Sequence, residues 1–314
     1  LNLDCMRENQ TLAEIQSRIL MTLESNVFSK NKIDATIVQG DTMTVLCGAL
    51  TSFYNKIPVF HVEAGLRSYN IYEPFPEEVM RQMASRITEL NFAPTNKNKV
   101  ALLQEGVKEK SIFVTGNTVI DALHCLSEET INNSAKFYHD NNIKIDDKLV
   151  LITIHRRENH GERINKILDA IEHLVKKYTD HTFVIPVHPN PNVKEKIYER
   201  LDTYKNIYLL KPLDYPDLVY LMKSAKLILT DSGGIQEEAP SLGKPVLIMR
   251  DVTERYEGVE AGVNILVGTK KERILEETLR ILDDPALREK MACRKNPFGD
   301  GFAVDRIIHH LRSI

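Results

Sequence analysis

The sequence predicts an α/β protein made of two doubly wound domains that face each other across a cleft. Three observations lead there. Short apolar runs of strand length recur through the 314 residues, separated by stretches of helical spacing. Such alternation argues for parallel sheets covered by helices. The rhythm lapses once, at the polar stretch 127–147, and then restarts, which places a first domain at 1–140 and a second at 141–300. Polar and glycine residues also cluster just after successive strands, where open α/β sheets hold their ligands.

The elements follow in order. Residues 10–23 carry Leu12, Ile15, Ile19 and Leu23 on one helical face. A strand at 33–38 runs into Gln39-Gly40-Asp41, and a helix is expected from Thr42 through Tyr54. The strand 57–62 ends at Glu63, followed by Ala64, Gly65, Leu66 and Arg67. A loop rich in aromatics and proline, 69–76, precedes a helix opened by Glu77 and Glu78. Strands at 90–93 and 112–115 follow. In the second domain, strands are expected at 149–154, 183–187, 207–210, 227–229, 246–249 and 265–267, with helices such as 164–177 between them. The amphipathic stretch 303–311, within a tail at 301–314, can pack on either domain.

Composition narrows the function classes. Apolar residues make up 42% of the chain, enough for a core, and charged residues 27%. A net charge of −3 leaves no electrostatic footprint for nucleic acid or an anionic membrane, so neither is an expected partner. No apolar run is long enough to span a bilayer. Cys5, Cys47, Cys125 and Cys293 lack paired spacing and read as free thiols of a reducing compartment, hence a cytoplasmic protein. The chain begins with Leu1 in what reads as the tail of an earlier unit, which suggests a fragment.

The densest stretch is Leu227 to Arg250. It reads as strand, tight turn, helix, turn, strand. Asp231 and Ser232 are placed to cap the helix. Gly233 and Gly234 bare the backbone where it turns, so the helix start can receive an anion such as phosphate. A carboxylate at Glu237 or Glu238 suits a pair of sugar hydroxyls. Pyrophosphate beside a ribose is what a nucleotide-sugar presents. The plainer reading is a helix cap with a Gly-Gly turn.

Three acids lie at or near strand ends in the first half: Asp41, Glu63 and Glu77. His155, Arg156, Arg157 and His188 do so in the second. Acids and cations together allow acid–base work and charge stabilisation. Each also has a structural alternative. Asp41 can cap the next helix, Glu63 can pair with Arg67, and Arg156 with Arg157 can be a solvated surface pair. His61 reads as a core histidine. No HExxH or Cys/His cluster argues for a metal, no GxSxG elbow for a serine nucleophile, and no GxGxxG for a nicotinamide cofactor.

Assembled, these residues resemble the non-hydrolysing UDP-N-acetylglucosamine 2-epimerases. The resemblance is carried by Gln39-Gly-Asp-Thr42, His61-Val-Glu-Ala-Gly-Leu-Arg67, Pro76-Glu-Glu78, Thr115-Gly-Asn-Thr-Val-Ile-Asp-Ala122, His155-Arg-Arg-Glu158, Pro186-Val-His-Pro-Asn190, Thr230 through Gly243, Arg250 through Arg255, and Asn296-Pro-Phe-Gly-Asp-Gly301. It implies the GT-B-like pairing of two Rossmann-like domains, with the last helix returning to the first. It implies interconversion of UDP-GlcNAc and UDP-ManNAc, supplying ManNAc-type sugars for surface polysaccharide, in a homodimer without redox cofactor or metal. In the family, loss of the C2 proton and expulsion of UDP leave 2-acetamidoglucal, to which UDP adds back after reprotonation.

By resemblance, Asp41, Glu63 and Glu77 match the catalytic acids and His155 the active-site histidine. Ser232, Gly233 and Gly234 match the diphosphate loop, Glu238 the ribose contact, and Arg255 a further nucleotide contact. Leu213 and Leu218 stand near the uracil, where relatives often carry Gln and Phe. Tyr256 replaces a usual proline. Gln10, Glu77, Arg156 and His188 match parts of an activating second substrate site. The family's opening strand and Gly-Thr-Arg-Pro-Glu loop have no counterpart, so a chain lacking the first βα unit is expected. A GT-B glycosyltransferase acting on an acceptor, and an inactive UDP-binding fragment, are the alternative functions.

Overall fold

The computed structural model describes residues 2–7 and 9–312. The chain divides into two compact units, one formed by residues up to Thr118 together with those from Phe302 on, the other by Val119–Gly301. The boundary expected at residue 140 therefore falls earlier. The polar stretch read as a linker holds a helix, Glu128–Asp140, whose Tyr138 is fully buried and donates to the Asp217 carbonyl at 3.0 Å. Tyr138 anchors this mostly polar helix to the second unit.

In the first unit, α1 (Leu12–Leu23) starts at a reciprocal cap: Glu14 N–H donates to Thr11 Oγ1 at 3.2 Å and Thr11 N–H to Glu14 Oε2 at 2.7 Å. Next come β1 (Thr36–Gln39), α2 (Met43–Tyr54), β2 (Val59–Val62), α3 (Glu77–Ala84), β3 (Leu90–Ala93), α4 (Asn96–Gln104) and β4 (Ile112–Val114). The strands pair in parallel in the order β1-β2-β3-β4. β1 begins at Thr36 rather than Ile33, where its N–H reaches the Pro58 carbonyl. Val38 and Val59 meet Val45 and Ala49 of α2 on one face, while Phe60, Val62 and Phe92 form a cluster on the other.

The second unit runs α5 (Thr118–His124), α6 (Glu128–Asp140), β5 (Leu149–Thr153), α7 (Glu162–Lys177), β6 (Thr182–Pro186), α8 (Pro191–Leu201), β7 (Ile207–Leu210), α9 (Tyr215–Ser224), β8 (Leu227–Thr230), α10 (Gly233–Ser241), β9 (Val246–Ile248), α11 (Tyr256–Glu260), β10 (Asn264–Leu266), α12 (Lys271–Asp283) and α13 (Pro285–Ala292). The parallel sheet has the order β10-β9-β8-β5-β6-β7. One face packs against α7, α8 and α12 through Ile167, Ile197 and Ile281; the other packs against α6, α9 and α10 through Tyr138, Met222 and Ile235. A sheet buried on both faces explains why its strands read as unbroken apolar runs.

The last helix, α14 (Ala303–Leu311), belongs with the first unit. Ile307 joins the Phe60, Val62 and Phe92 cluster, His310 lies 3.9 Å from Phe113 between ring centroids, and Arg306 Nη1 donates to the Thr115 carbonyl at 2.9 Å. Among the described residues no helix is long and apolar enough to cross a membrane.

Candidate active site

The strand order of the second sheet reverses between β5 and β8, so a crevice opens beyond their carboxyl ends. Thr153 and Thr230 end these strands as cross-strand partners, with their Oγ1 atoms 2.5 Å apart. Asp231, directly after Thr230, and His155, two residues after Thr153, are thereby set next to each other. Asp231 is fully buried. Its carboxylate accepts the N–H groups of His155 and Arg156 at 3.0 Å and the Asn159 side-chain amide at 2.9 Å, and His155 Nδ1 lies 2.9 Å from Oδ1. Burial alone would raise the Asp231 pKa. The bond and charge of His155, with the backbone N–H groups, outweigh it and hold the carboxyl below the usual range. The bond to Asp231 places the proton on Nδ1 and leaves Nε2 for the cavity that His155 lines.

Asp231 is thus spent backwards, on His155, and does not cap α10 as expected from sequence. Ser232 occupies the N-cap position, but no side chain bonds the first turn there. A helix start always leaves N–H groups without intrahelical partners, and here they form the positive end of the helix dipole with no side-chain cap from Ser232.

Gly233 has a steric reason. A Cβ there would lie 2.7 Å from Arg255 Nη1 and 3.1 Å from Arg156 Nη2, so two guanidinium groups approach the helix start only because the side chain is absent. Arg255 is held in place from behind. Its Nε donates to Glu237 Oε1 at 2.5 Å and its Nη1 to Glu254; Glu254 in turn pairs with Arg250 at 3.1 Å, and Arg250 reaches Glu158 at 3.6 Å. This buried chain of alternating charge aims Arg255, since breaking one buried pair costs about 3–5 kcal/mol. Arg156 is therefore not part of a solvated surface pair: it is partly buried beside Gly233, while Arg157 is exposed.

Glu238 lies one turn into α10 and is 5% exposed. Burial raises its pKa, and the Tyr215 hydroxyl, which donates to Oε1 at 2.5 Å, opposes that rise. The second oxygen lies beside Gly234, where a Cβ would stand 3.2 Å away. A cavity of about 240 Å³ adjoins these groups, lined by Pro186, Val187, Pro212, Leu213, Leu218 and Ile235 together with His155, His188 and Ser232. Leu213 and Leu218 are among its lining residues. The ring of His188 lies 6.1 Å from that of His155, and burial, then the charge of His155, lowers its pKa.

In the first unit, the residues after β1 and β2 adopt left-handed backbone, Gly40 with φ +82° and Glu63 with φ +65°. Glu63 therefore leaves the strand alternation that would set it on the same side as His61. His61 is fully buried, its Nε2 donating to the Gly40 carbonyl at 2.7 Å; burial pushes its pKa down to about 4, so it is a neutral core residue. Glu63 Oε2 lies 3.6 Å from where a Gly40 Cβ would stand, so the carboxylate sits against that bare turn. Arg67 is not its partner, because Arg67 bonds Glu105 at 2.6 and 2.8 Å.

Asp41 does not cap α2 either. Thr42 takes the N-cap position without a side-chain bond, and Asp41 pairs with Arg81, which is itself buried and 3.4 Å from Glu78. Glu78, fully buried, accepts Ser68 N–H at 2.9 Å and Tyr69 N–H at 3.2 Å, fixing the aromatic loop, while Glu77 is partly exposed at the first turn of α3. Gln10 precedes α1, its Oε1 taking Arg18 Nη1 at 2.8 Å. Among the described residues no group of His, Cys, Asp or Glu is placed to hold a metal ion.

Sequence reasoning did not find Arg81, Asn159, Tyr215, Glu254 or Arg250. Each acts by holding a candidate residue in place; Arg81, Asn159 and Tyr215 do so across 40, 72 and 23 residues, so no local pattern signals them, whereas Glu254 and Arg250 lie close to Arg255 in the chain and only the fold shows that they pair.

Comparison with known proteins matches this geometry to one family. Residues 1–312 match the family of UDP-N-acetylglucosamine 2-epimerases. The UDP-N-acetylglucosamine 2-epimerase of Neisseria meningitidis is 46% identical over 99% of this chain and 84% of its own, and that of Bacillus subtilis 46% identical over 99% and 80%. The crystal structure of the Neisseria meningitidis enzyme bound to UDP-GlcNAc superposes with a TM-score of 0.91 at 45% identity, covering 98% of this chain and 84% of that one. The Methanocaldococcus jannaschii enzyme in complex with UDP-GlcNAc and UDP gives 0.89 at 38% identity, covering 100% and 84%. The fold is accordingly the GT-B-like pair of Rossmann-like domains, and the chain belongs to the UDP-N-acetylglucosamine 2-epimerase family.

Proposed function

We propose that this chain interconverts UDP-N-acetylglucosamine and UDP-N-acetylmannosamine by eliminating and re-adding UDP. The observation that carries the assignment is the start of α10: an uncapped helix N-terminus at Gly233 with Arg255 and Arg156 against it, a carboxylate at Glu238 one turn on, and an apolar cavity beside them. Diphosphate, ribose hydroxyls and a flat pyrimidine face are the chemistries those groups accept.

The residues divide the work as follows. The C2 proton passes to a carboxylate, the C1–O bond breaks with its electron pair leaving on UDP, and a C1=C2 double bond forms. Negative charge then grows on the departing diphosphate. The α10 N–H groups, Arg255, Arg156 and the Nε2 side of His155 stabilise it in place, without reorganisation. Reprotonation on the opposite face of C2 and return of the diphosphate oxygen to C1 complete the epimerisation. Inversion needs acid–base groups for two faces, the task of Asp41, Glu63 and Glu77. That Arg81 pairs with Asp41 and that Glu63 sits on a left-handed turn supports this reading, since acid–base groups work best when held in place. Gln10, Arg156 and His188 are the positions at which a second, activating substrate molecule would be felt, and a homodimer is the assembly we expect.

Anion-exchange analysis tests the assignment. Starting from either nucleotide-sugar, the chain should yield the same mixture of the two. Free N-acetylmannosamine, or product that forms only with an added acceptor, would replace this reading with a hydrolysing enzyme or a glycosyltransferase.

A further inference from the structure

We propose that Asn264 is a positioning residue for the diphosphate cradle, acting through the backbone of α10. Pro240 lies inside that helix. Proline has no N–H, so the carbonyl of Gln236, four residues earlier, loses its helical donor. Asn264, at the start of β10, supplies one from outside: its Nδ2 donates to the Gln236 carbonyl at 2.9 Å. Asn264 is 1% exposed, and among the described residues its Oδ1 has no hydrogen-bond partner. A buried amide with an unpaired oxygen is unfavourable by itself, so the donated bond is what the residue contributes. Gly258 confines it from the other side, since a Cβ there would lie 2.3 Å from Nδ2.

Gln236 transmits the constraint to the site. Its Nε2 donates to the Ser232 carbonyl at 3.0 Å, and its Oε1 accepts from Thr253 Oγ1 at 2.8 Å. Thr253 Oγ1 also accepts the Arg255 N–H at 3.1 Å. One fully buried glutamine thus joins β10, the first turn of α10 and the loop that carries Arg255. Without the Asn264 donor, the Gln236 carbonyl is left buried and unpaired. The helix start must then shift to find it a partner, taking the N–H groups of Gly233 and Gly234 with it.

This inference rests on α10 being the diphosphate site, and the test separates the two. UDP binding is measured by calorimetry on the intact chain, on Asn264→Ala and on Asn264→Ala/Pro240→Ala, with KM and kcat for UDP-GlcNAc alongside. Asn264→Ala should bind UDP about tenfold more weakly, with KM rising more than kcat falls. The double variant should regain most of that loss, because the new N–H at position 240 can reach the Gln236 carbonyl. If the unaltered chain does not bind UDP, the diphosphate reading itself fails. If it binds and Asn264→Ala binds equally well, the inference is overturned. A double variant as weak as the single one overturns it too, since lost packing rather than a lost donor would then be responsible.

Discussion

The buried carboxylate of Asp231 holds Nδ1 of His155 at 2.9 Å while also taking the backbone N–H groups of His155 and Arg156. One side chain therefore sets both the tautomer of the histidine and the path of the β5 turn that carries it. Asp231→Asn keeps the shape but cannot accept every one of these donors. Turnover should fall on the order of 10²-fold or more, and the folded state should lose about 2–4 kcal/mol. Steady-state kinetics and urea unfolding measure the two effects. A variant with normal turnover would remove His155 orientation from the account.

Glu238 should contribute to binding and not to the chemical step. Its Oε1 is taken by the Tyr215 hydroxyl, which leaves the other oxygen for a ribose hydroxyl. Glu238→Gln should raise KM about 10- to 100-fold, the loss expected for a hydrogen bond to a charged acceptor, with kcat little changed. A fall in kcat at unchanged KM would assign Glu238 to catalysis instead.

Gly233→Ala tests the close approach of Arg255. The added Cβ meets Nη1 at 2.7 Å and the guanidinium carbon at 2.8 Å, and Arg255 is pinned by Glu237 and Glu254. UDP affinity should drop about tenfold or more. The equivalent change at Gly106, where a Cβ meets nothing within 4 Å but φ is +83°, should cost stability and leave UDP affinity alone.

Acid stability should depend on His61. Its pKa is about 4 when folded, against 6.5 for an exposed histidine. The unfolded chain therefore takes up the proton first, and the contribution of His61 is intact above pH 6.5 and is lost as pH falls toward 4. That difference corresponds to about 3 kcal/mol. Gln at this position sets its amide nitrogen where Nε2 lies, so it can still donate to Gly40, but it does not titrate. Thermal melts at pH 7 and pH 4.5 should show His61→Gln losing less stability on acidification than the parent chain. Equal losses would mean that His61 is not held neutral.

Much of this was legible in the sequence because it is local. Strands buried on both faces appear as apolar runs, and β5 and β8 fall within a residue of where those runs do. The Gly-Gly turn and the helix after it were visible for the same reason. Asp231 was misread because a helix cap and a carboxylate turned backwards look alike locally; what decides between them is His155, 76 residues away. Asp41 was ambiguous on the same ground until Arg81, 40 residues on, claimed it. The boundary was misplaced because α6 is polar except for a few inward residues, of which Tyr138 is fully buried. Long-range electrostatics was the illegible part, and most of the site's preorganisation is of that kind.

The central claim is that a carboxylate removes the C2 proton and that the proton returns from solvent-exchangeable groups. Proton NMR of UDP-GlcNAc with the purified chain in D2O tests it most directly. The account predicts UDP-ManNAc carrying deuterium at C2, followed by deuterium at C2 of the recovered UDP-GlcNAc. UDP-ManNAc that retains the original C2 proton, or a chain that binds UDP yet never exchanges it, would contradict the account.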